Sequence, residues 1–88
     1  KYWQKLPEQI AIKQVQQALR HYGYGIEVTG EHDRQTQLYL MAFQRHFVPD
    51  QVHGNTDRKT VAILFALLEK YFPQALKSPE LTLPANSN

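Results

Sequence analysis

The sequence of 88 residues contains no cysteine. This absence excludes a disulfide scaffold, a zinc site with cysteine ligands and a catalytic thiol. It leaves the compartment open, because a cysteine-free domain is stable in the cytosol and in the periplasm alike. Long hydrophobic runs are missing as well, since no stretch approaches the roughly 18–20 apolar residues that a transmembrane helix needs.

The chain also has little excess of one charge over the other. Ten Lys and Arg residues against eight Asp and Glu residues leave a net charge of +2, which does not by itself indicate nucleic acid. Hydrophobic residues make up 42% of the chain, as in a globular protein, and the length corresponds to one domain with a modest core. The chain starts at Lys1 without a signal peptide, so we expect it to be a piece of a longer or processed precursor.

Three segments have the periodicity of amphipathic helices. We predict these helices at residues 8–22, 33–46 and 57–71. Pro7 suits the first turn of the first helix, and Pro49 and Pro73 close the other two. The sequence therefore predicts an all-α fold, a small three-helix bundle.

The remaining segments are predicted to be an N-terminal linker or arm at 1–7 and a C-terminal tail at 73–88. The tail has three residues that can anchor it to the bundle, Leu76, Leu81 and Leu83. Val28 and Val52 lie in the two connections and can form short extended pieces there.

The second and third helices belong to an internal repeat with an offset of 24 residues. Residues 28–36 align with residues 52–60, which indicates a repeated unit of a turn followed by a capped helix. The matching positions are Gly30, Asp33 and Thr36 in the first copy and Gly54, Asp57 and Thr60 in the second. The glycines suit a turn with positive φ, the aspartates suit the N-cap, and the threonines can reach back toward the cap.

The sequence offers little support for a catalytic site. The four histidines lack the spacing of a metal site on a helix. Glu27, Glu31 and Asp33 are close in sequence, but no aromatic run accompanies them as in a glycosidase site. Ser78 and Ser87 lie in the tail, which disfavours a serine hydrolase. We expect no catalytic residue, no metal and no cofactor in this chain.

Several motifs occur in a characteristic order: Gln16 before Leu19, Gly23-Tyr24, Gly30 with Thr36, Ala42-Phe43-Gln44, and Gly54 with Thr60. This order, from about residue 10 to residue 71, resembles the three-helix peptidoglycan-binding domains of bacteria. The ending at Tyr71 is similar to the C-terminal domain of periplasmic N-acetylmuramoyl-L-alanine amidases. The chain departs from the family at Thr29 and His53, where the family has Asp, and at Asp33 and Asp57, where it has Gly.

The resemblance implies that residues 8–72 form a non-catalytic module for binding peptidoglycan. Such a module targets an associated cell-wall hydrolase, here a zinc-dependent amidase, to its substrate. Zinc is then expected only in the catalytic domain of the parent protein. The resemblance further implies a periplasmic or cell-envelope location, and we expect a monomer.

Peptidoglycan offers sugars, N-acetyl groups, short peptides and carboxylates, so its recognition requires aromatic faces, hydrogen-bond donors and arginine. The candidate ligand-binding residues near the loop–helix junctions are Tyr24, His32, Arg34, Tyr39, Arg45 and Arg58. We predict a shallow groove beside the loop 23–36, in which Tyr24 and His32 stack and Arg34 meets a carboxylate. The alternative is that Tyr22 and Tyr39 are core aromatics and Arg34 is a solvated charge.

Two other functions remain open from the sequence. A helix-turn-helix domain would use Arg58, Lys59 and Thr60 to open a recognition helix. Against it, the predicted turn has about ten residues, where that motif has 3–4, and the third helix is strongly apolar. The other alternative is a purely structural module that docks to a second protein domain.

Overall fold

The computed structural model of the protein describes residues 11–78 and residue 81. Four helices follow one another in this part of the chain: α1 (Ile12–Tyr22), α2 (Arg34–Phe47), α3 (Arg58–Tyr71) and a short 3₁₀ helix (Pro73–Lys77). The described residues contain no strand. The fold is a small all-α bundle, as the periodicity predicts.

One face of each α-helix supplies the core. Its largest fully buried side chains are Leu19, Ile26, Leu40, Phe43, Leu64, Phe65 and Leu68. Each such side chain contributes about 1.5–3 kcal/mol when it leaves water. Apart from Ile26, which lies in the loop after α1, these residues recur at the helical spacings that the sequence shows. Tyr71 is in phase with Leu64 and Leu68 but is 55% exposed, because it lies at the very end of α3, so the predicted buried face of that helix is wrong at this position.

The first helix begins later than predicted. Ala11 has φ −59° and ψ 143°, an extended conformation, and it makes no side-chain cap. An extended residue cannot lie inside a helical turn, so α1 starts at Ile12 and the predicted start at residue 8 is wrong. Pro7 and the rest of the predicted arm lie outside the described residues.

The helices α2 and α3 begin with the caps that the repeat predicts. Asp33 Oδ1 accepts a hydrogen bond from the N–H of Thr36 at 2.9 Å, and Asp57 Oδ1 accepts one from Thr60 at 2.8 Å. The Thr36 hydroxyl also reaches back and donates to Asp33 Oδ1 at 2.7 Å. Each cap thus satisfies backbone donors that a helix leaves open at its start.

The C-terminal ends of the three α-helices meet at one end of the bundle, where Phe72 directly follows α3. The ring of Tyr22 contacts Phe47 and Phe72 edge to face, with centroids 5.9 and 5.7 Å apart. Edge-to-face geometry is favourable for aromatic rings. This contact joins the ends of α1, α2 and α3.

The C-terminal segment contributes to the core. Ala75 in the 3₁₀ helix is buried, and the side chain of Leu81 is fully buried among the core residues. Leu81 is therefore an anchor, as predicted, and Leu76 packs against the same core. Leu83 lies outside the described residues, and the division of the chain at residue 72 stays a prediction.

Candidate functional site

The loop that leads into α2 is held by one buried glutamine. Gln16 Oε1 accepts hydrogen bonds from the backbone N–H groups of Thr29 and Gly30, at 3.0 and 2.8 Å. Its Nε2 donates to the Thr36 hydroxyl at 2.7 Å and to the Glu31 carbonyl at 3.0 Å. The side chain of Gln16 therefore provides the hydrogen-bond partners that the backbone of this loop would otherwise find in a neighbouring strand or helix.

Gln44 holds the loop that leads into α3 in the same way. Its Oε1 accepts from the N–H groups of His53 and Gly54, at 3.0 and 2.8 Å. Its Nε2 donates to the Thr60 hydroxyl at 3.0 Å and to the Asn55 carbonyl at 3.2 Å. The two copies of the repeat thus share one hydrogen-bonding scheme.

This scheme also explains why Val28 and Val52 form no strand. The N–H groups that follow each valine bond to a glutamine side chain, so they are not available to a neighbouring strand. Sequence reasoning missed the glutamine contacts, although Gln16 and Gln44 stand in the motifs. The sequence does show a glutamine on the apolar side of the helix that precedes each loop, and this position could have indicated the contacts.

Thr29 and His53 occupy equivalent places and make equivalent bonds. The Thr29 hydroxyl donates to Asp33 Oδ2 at 2.9 Å, and Nε2 of His53 lies 3.0 Å from Asp57 Oδ2. The Nδ1 of His53 accepts from the N–H of Asn55 at 3.0 Å. This pattern assigns the proton of the neutral imidazole to Nε2, where it is donated to Asp57.

These bonds favour the charged form of the two capping aspartates. Hydrogen bonds from the hydroxyl and N–H of Thr36, and from the Thr29 hydroxyl, lower the pKa of Asp33. Burial acts to raise the pKa of Asp57, but the hydrogen bonds from Thr60 and His53 outweigh it and the pKa is lowered as well. Both caps are therefore carboxylates at neutral pH.

His32 joins the two loops. Its Nε2 lies 2.9 Å from the carbonyl oxygen of Gly54 and donates a hydrogen bond to it. Gly54 is itself held by Gln44, so this bond connects the first copy of the repeat to the second. The structure thus gives His32 a contact within the protein, whereas stacking on a ligand stays a prediction.

The exposed side of α2 has a shallow depression of about 460 Å³. The lining residues are Arg34, Gln35, Leu38, Tyr39 and Ala42. Leu38 is 49% exposed and presents apolar surface to the solvent. Leu38 and Ala42 were missed in the sequence, although both fall out of phase with the buried face of α2.

An aromatic group supports one edge of this depression. The ring of Tyr24 contacts Tyr39 edge to face at 6.0 Å and stacks on Tyr22 at 6.2 Å. Burial and the neighbouring Tyr22 raise the pKa of Tyr24, so its hydroxyl stays neutral at physiological pH. Tyr39 is half-buried, and one part of its ring lines the depression.

The structure brings some of the predicted ligand residues together and leaves others apart. Arg34 and Tyr39 line the depression, and Tyr24 backs Tyr39. Arg45 is exposed and follows Arg34 by eleven residues, about three turns, so it lies on the same side of α2. Arg58 opens α3 and is not among the residues that line the depression. We call Arg34, Leu38, Tyr39, Ala42 and Arg45 the α2 surface.

The described part of the chain lacks clusters of metal-ligating side chains and membrane-spanning helices. It contains no group of three or more His, Cys, Asp or Glu side chains that could hold a metal ion. None of its helices is long and apolar enough to cross a bilayer.

Comparison with known proteins places this arrangement in a family. The family model described as a peptidoglycan binding domain matches residues 8–64. The chain belongs to this family. The match includes both glutamines and the whole α2 surface of this peptidoglycan-binding domain.

A curated relative adds a second finding. N-acetylmuramoyl-L-alanine amidase AmiD of Escherichia coli strain K12 is 43% identical over 53 residues, which are 60% of this chain and 19% of that protein. The peptidoglycan-binding domain thus spans about a fifth of the relative's length. No solved structure matches the chain.

Proposed function

We propose that this domain attaches to peptidoglycan through the α2 surface and carries out no chemistry itself. The observation that supports the proposal is an exposed apolar depression lined by Arg34, with a second exposed arginine, Arg45, on the same side of the helix. Ligand sites are typically lined by apolar side chains with a few polar or charged groups beside them.

The charge of α2 fits an acidic ligand. The helix carries Arg34 and Arg45 and no Asp or Glu. Neither guanidinium has a hydrogen-bond or ion-pair partner among the described residues, so both are free to meet a ligand. A carboxylate is the group that guanidinium binds best, through two parallel hydrogen bonds. Peptidoglycan supplies carboxylates along its whole length, and many weak contacts to such a polymer add up to firm attachment.

The parent protein is the second part of the proposal. The similarity to an amidase supports a catalytic domain that cleaves N-acetylmuramoyl-L-alanine bonds and is attached to this module. Zinc would then lie in that domain, and the whole protein would work in the periplasm or elsewhere in the cell envelope. The module would raise the concentration of the enzyme at its substrate.

Sedimentation with purified sacculi tests the binding role. We expect the wild-type chain to sediment, and the double variant Arg34→Gln/Arg45→Gln to bind at least tenfold more weakly at about 0.15 M salt, where distant surface charges are screened. The double variant Lys13→Gln/Lys59→Gln removes the same charge from α1 and α3 and serves as the matched control.

The control is expected to bind within twofold of the wild type, with unchanged circular dichroism for all variants. A wild-type chain that stays in solution with sacculi but binds duplex DNA would overturn the proposal. Equal losses in the two double variants would show that net charge, and not the α2 surface, governs binding.

A further inference from the structure

We infer that the α2 surface recognises the peptide stems of peptidoglycan and not its glycan strands. The inference rests on the proposed function, because it names the part of the polymer that this surface binds. Three features of the described residues support it: the apolar lining, the spacing of the two arginines, and the difference between the two copies of the repeat.

The lining suits small aliphatic side chains better than sugars. Leu38 and Ala42 are its aliphatic lining residues, and Tyr39 is its one aromatic lining residue. A sugar ring on Leu38 and Ala42 would lose water from its hydroxyl groups without gaining hydrogen-bond partners from these two side chains, which is unfavourable. An alanine methyl group of a peptide stem loses no such partner and gains apolar contact.

The arginines are spaced for a short peptide. Eleven residues at about 1.5 Å each separate Arg34 and Arg45 by about 16 Å along the helix. An extended peptide spans at most about 3.3–3.6 Å per residue, so about five residues cover this distance. The flexible arginine side chains shorten the gap further. A peptide stem with two carboxylates can therefore meet both guanidinium groups while its small side chains lie on Leu38 and Ala42.

The second copy of the repeat serves as an internal comparison. The offset of 24 residues pairs Arg34 with Arg58, Leu38 with Ala62, and Arg45 with Glu69. In α3 the second positive charge is thus replaced by a negative one, which repels a carboxylate. Only α2, of the two repeated helices, carries the pair of arginines.

The test compares intact sacculi with glycan strands from which the peptides have been removed enzymatically. We expect the wild-type chain to bind the stripped strands at least tenfold more weakly than intact sacculi. Free L-alanyl-γ-D-glutamyl-meso-diaminopimelyl-D-alanine should displace the chain from sacculi, whereas an N-acetylglucosamine tetrasaccharide at the same concentration should not.

Charge reversal provides the variant arm. Arg45→Glu places in α2 the negative charge that α3 has at the paired position Glu69, and we expect it to bind intact sacculi more weakly than Arg45→Gln does. Equal binding of the wild type to intact and stripped material, or displacement by the tetrasaccharide alone, would overturn the inference and leave the proposed function standing. Failure to bind either material would instead remove the proposed function.

Discussion

Gln16 and Gln44 each use one side-chain amide to bond two backbone N–H groups, a carbonyl and a threonine hydroxyl. Both are fully buried. No buried side-chain nitrogen or oxygen among the described residues lacks a hydrogen-bond partner. At the scale of the residue, the loops are therefore defined by two amides, and these amides place the start of each following helix.

The substitution Gln44→Met tests this role, because it keeps the size of the side chain and removes its hydrogen bonds. It leaves the N–H groups of His53 and Gly54 without acceptors, so we expect a loss of about 2–4 kcal/mol in the free energy of unfolding. Urea denaturation measures the change. Gln51→Met, at an exposed site, is the control and should alter stability by no more than about 0.5 kcal/mol.

The sequence predicted the caps and turns of the site and missed the glutamine contacts for a physical reason. Asp33 and Thr36 interact across three residues, so local spacing reveals the contact. Gln16 and Thr36 are twenty residues apart, and only the packing of α1 beside the loop brings them together. Leu38 was missed because its exposure depends on which face of α2 the bundle leaves uncovered.

At the scale of the element, the repeated unit is a loop, a cap and a 14-residue helix. The two copies have the same turn geometry, with φ of 81° at Gly30 and 78° at Gly54. Their surroundings differ. A side chain at Gly30 would meet open space, whereas one at Gly54 would lie within 3.0 Å of the backbone oxygen of Gln37 in α2.

The matched pair Gly30→Ala and Gly54→Ala separates conformational strain from close packing. Both alanines must adopt positive φ, which costs about 1–2 kcal/mol. Gly54→Ala also forces the loop away from α2, which adds about 1–3 kcal/mol. In thermal or urea unfolding, Gly54→Ala should therefore be clearly less stable than Gly30→Ala. Equal losses in the free energy of unfolding would show that the close packing of this loop against α2 does not add to the cost of the substitution.

For the two helices that begin with a capping residue, the sequence predicted the helix bounds to within one residue. The aspartates identify the beginnings of α2 and α3, and the predicted and observed helices agree there. No such cap precedes α1, and Ala11 in an extended conformation replaces it. Without a cap, periodicity alone does not say where a helix begins.

At the scale of the whole molecule, the bundle is completed by residues beyond its third helix. Leu81 is fully buried, although it lies 17 residues past the end of the matched family region at residue 64. The helix periodicity could not show this burial, because the residue stands outside any periodic segment. What indicated the burial of Leu81 in the sequence was an apolar side chain within an otherwise polar stretch.

The substitution Leu81→Ala tests how much this segment contributes. Removing a fully buried leucine side chain is expected to lower the free energy of unfolding by about 2–5 kcal/mol. Leu38→Ala is the control, because Leu38 is half-exposed and its loss should change stability little while weakening attachment to sacculi. A small effect at Leu81 would show that the C-terminal segment is dispensable for the bundle.

Attachment to peptidoglycan through α2 is the central claim about the molecule, and nuclear magnetic resonance tests it most directly. Titrating the ¹⁵N-labelled chain with soluble peptidoglycan fragments that retain their peptides should shift the amide signals of residues 34–45, with saturation. Signals of α3 from Lys59 onward should shift less. Saturating shifts confined to α3, or no shifts at all, would contradict the account.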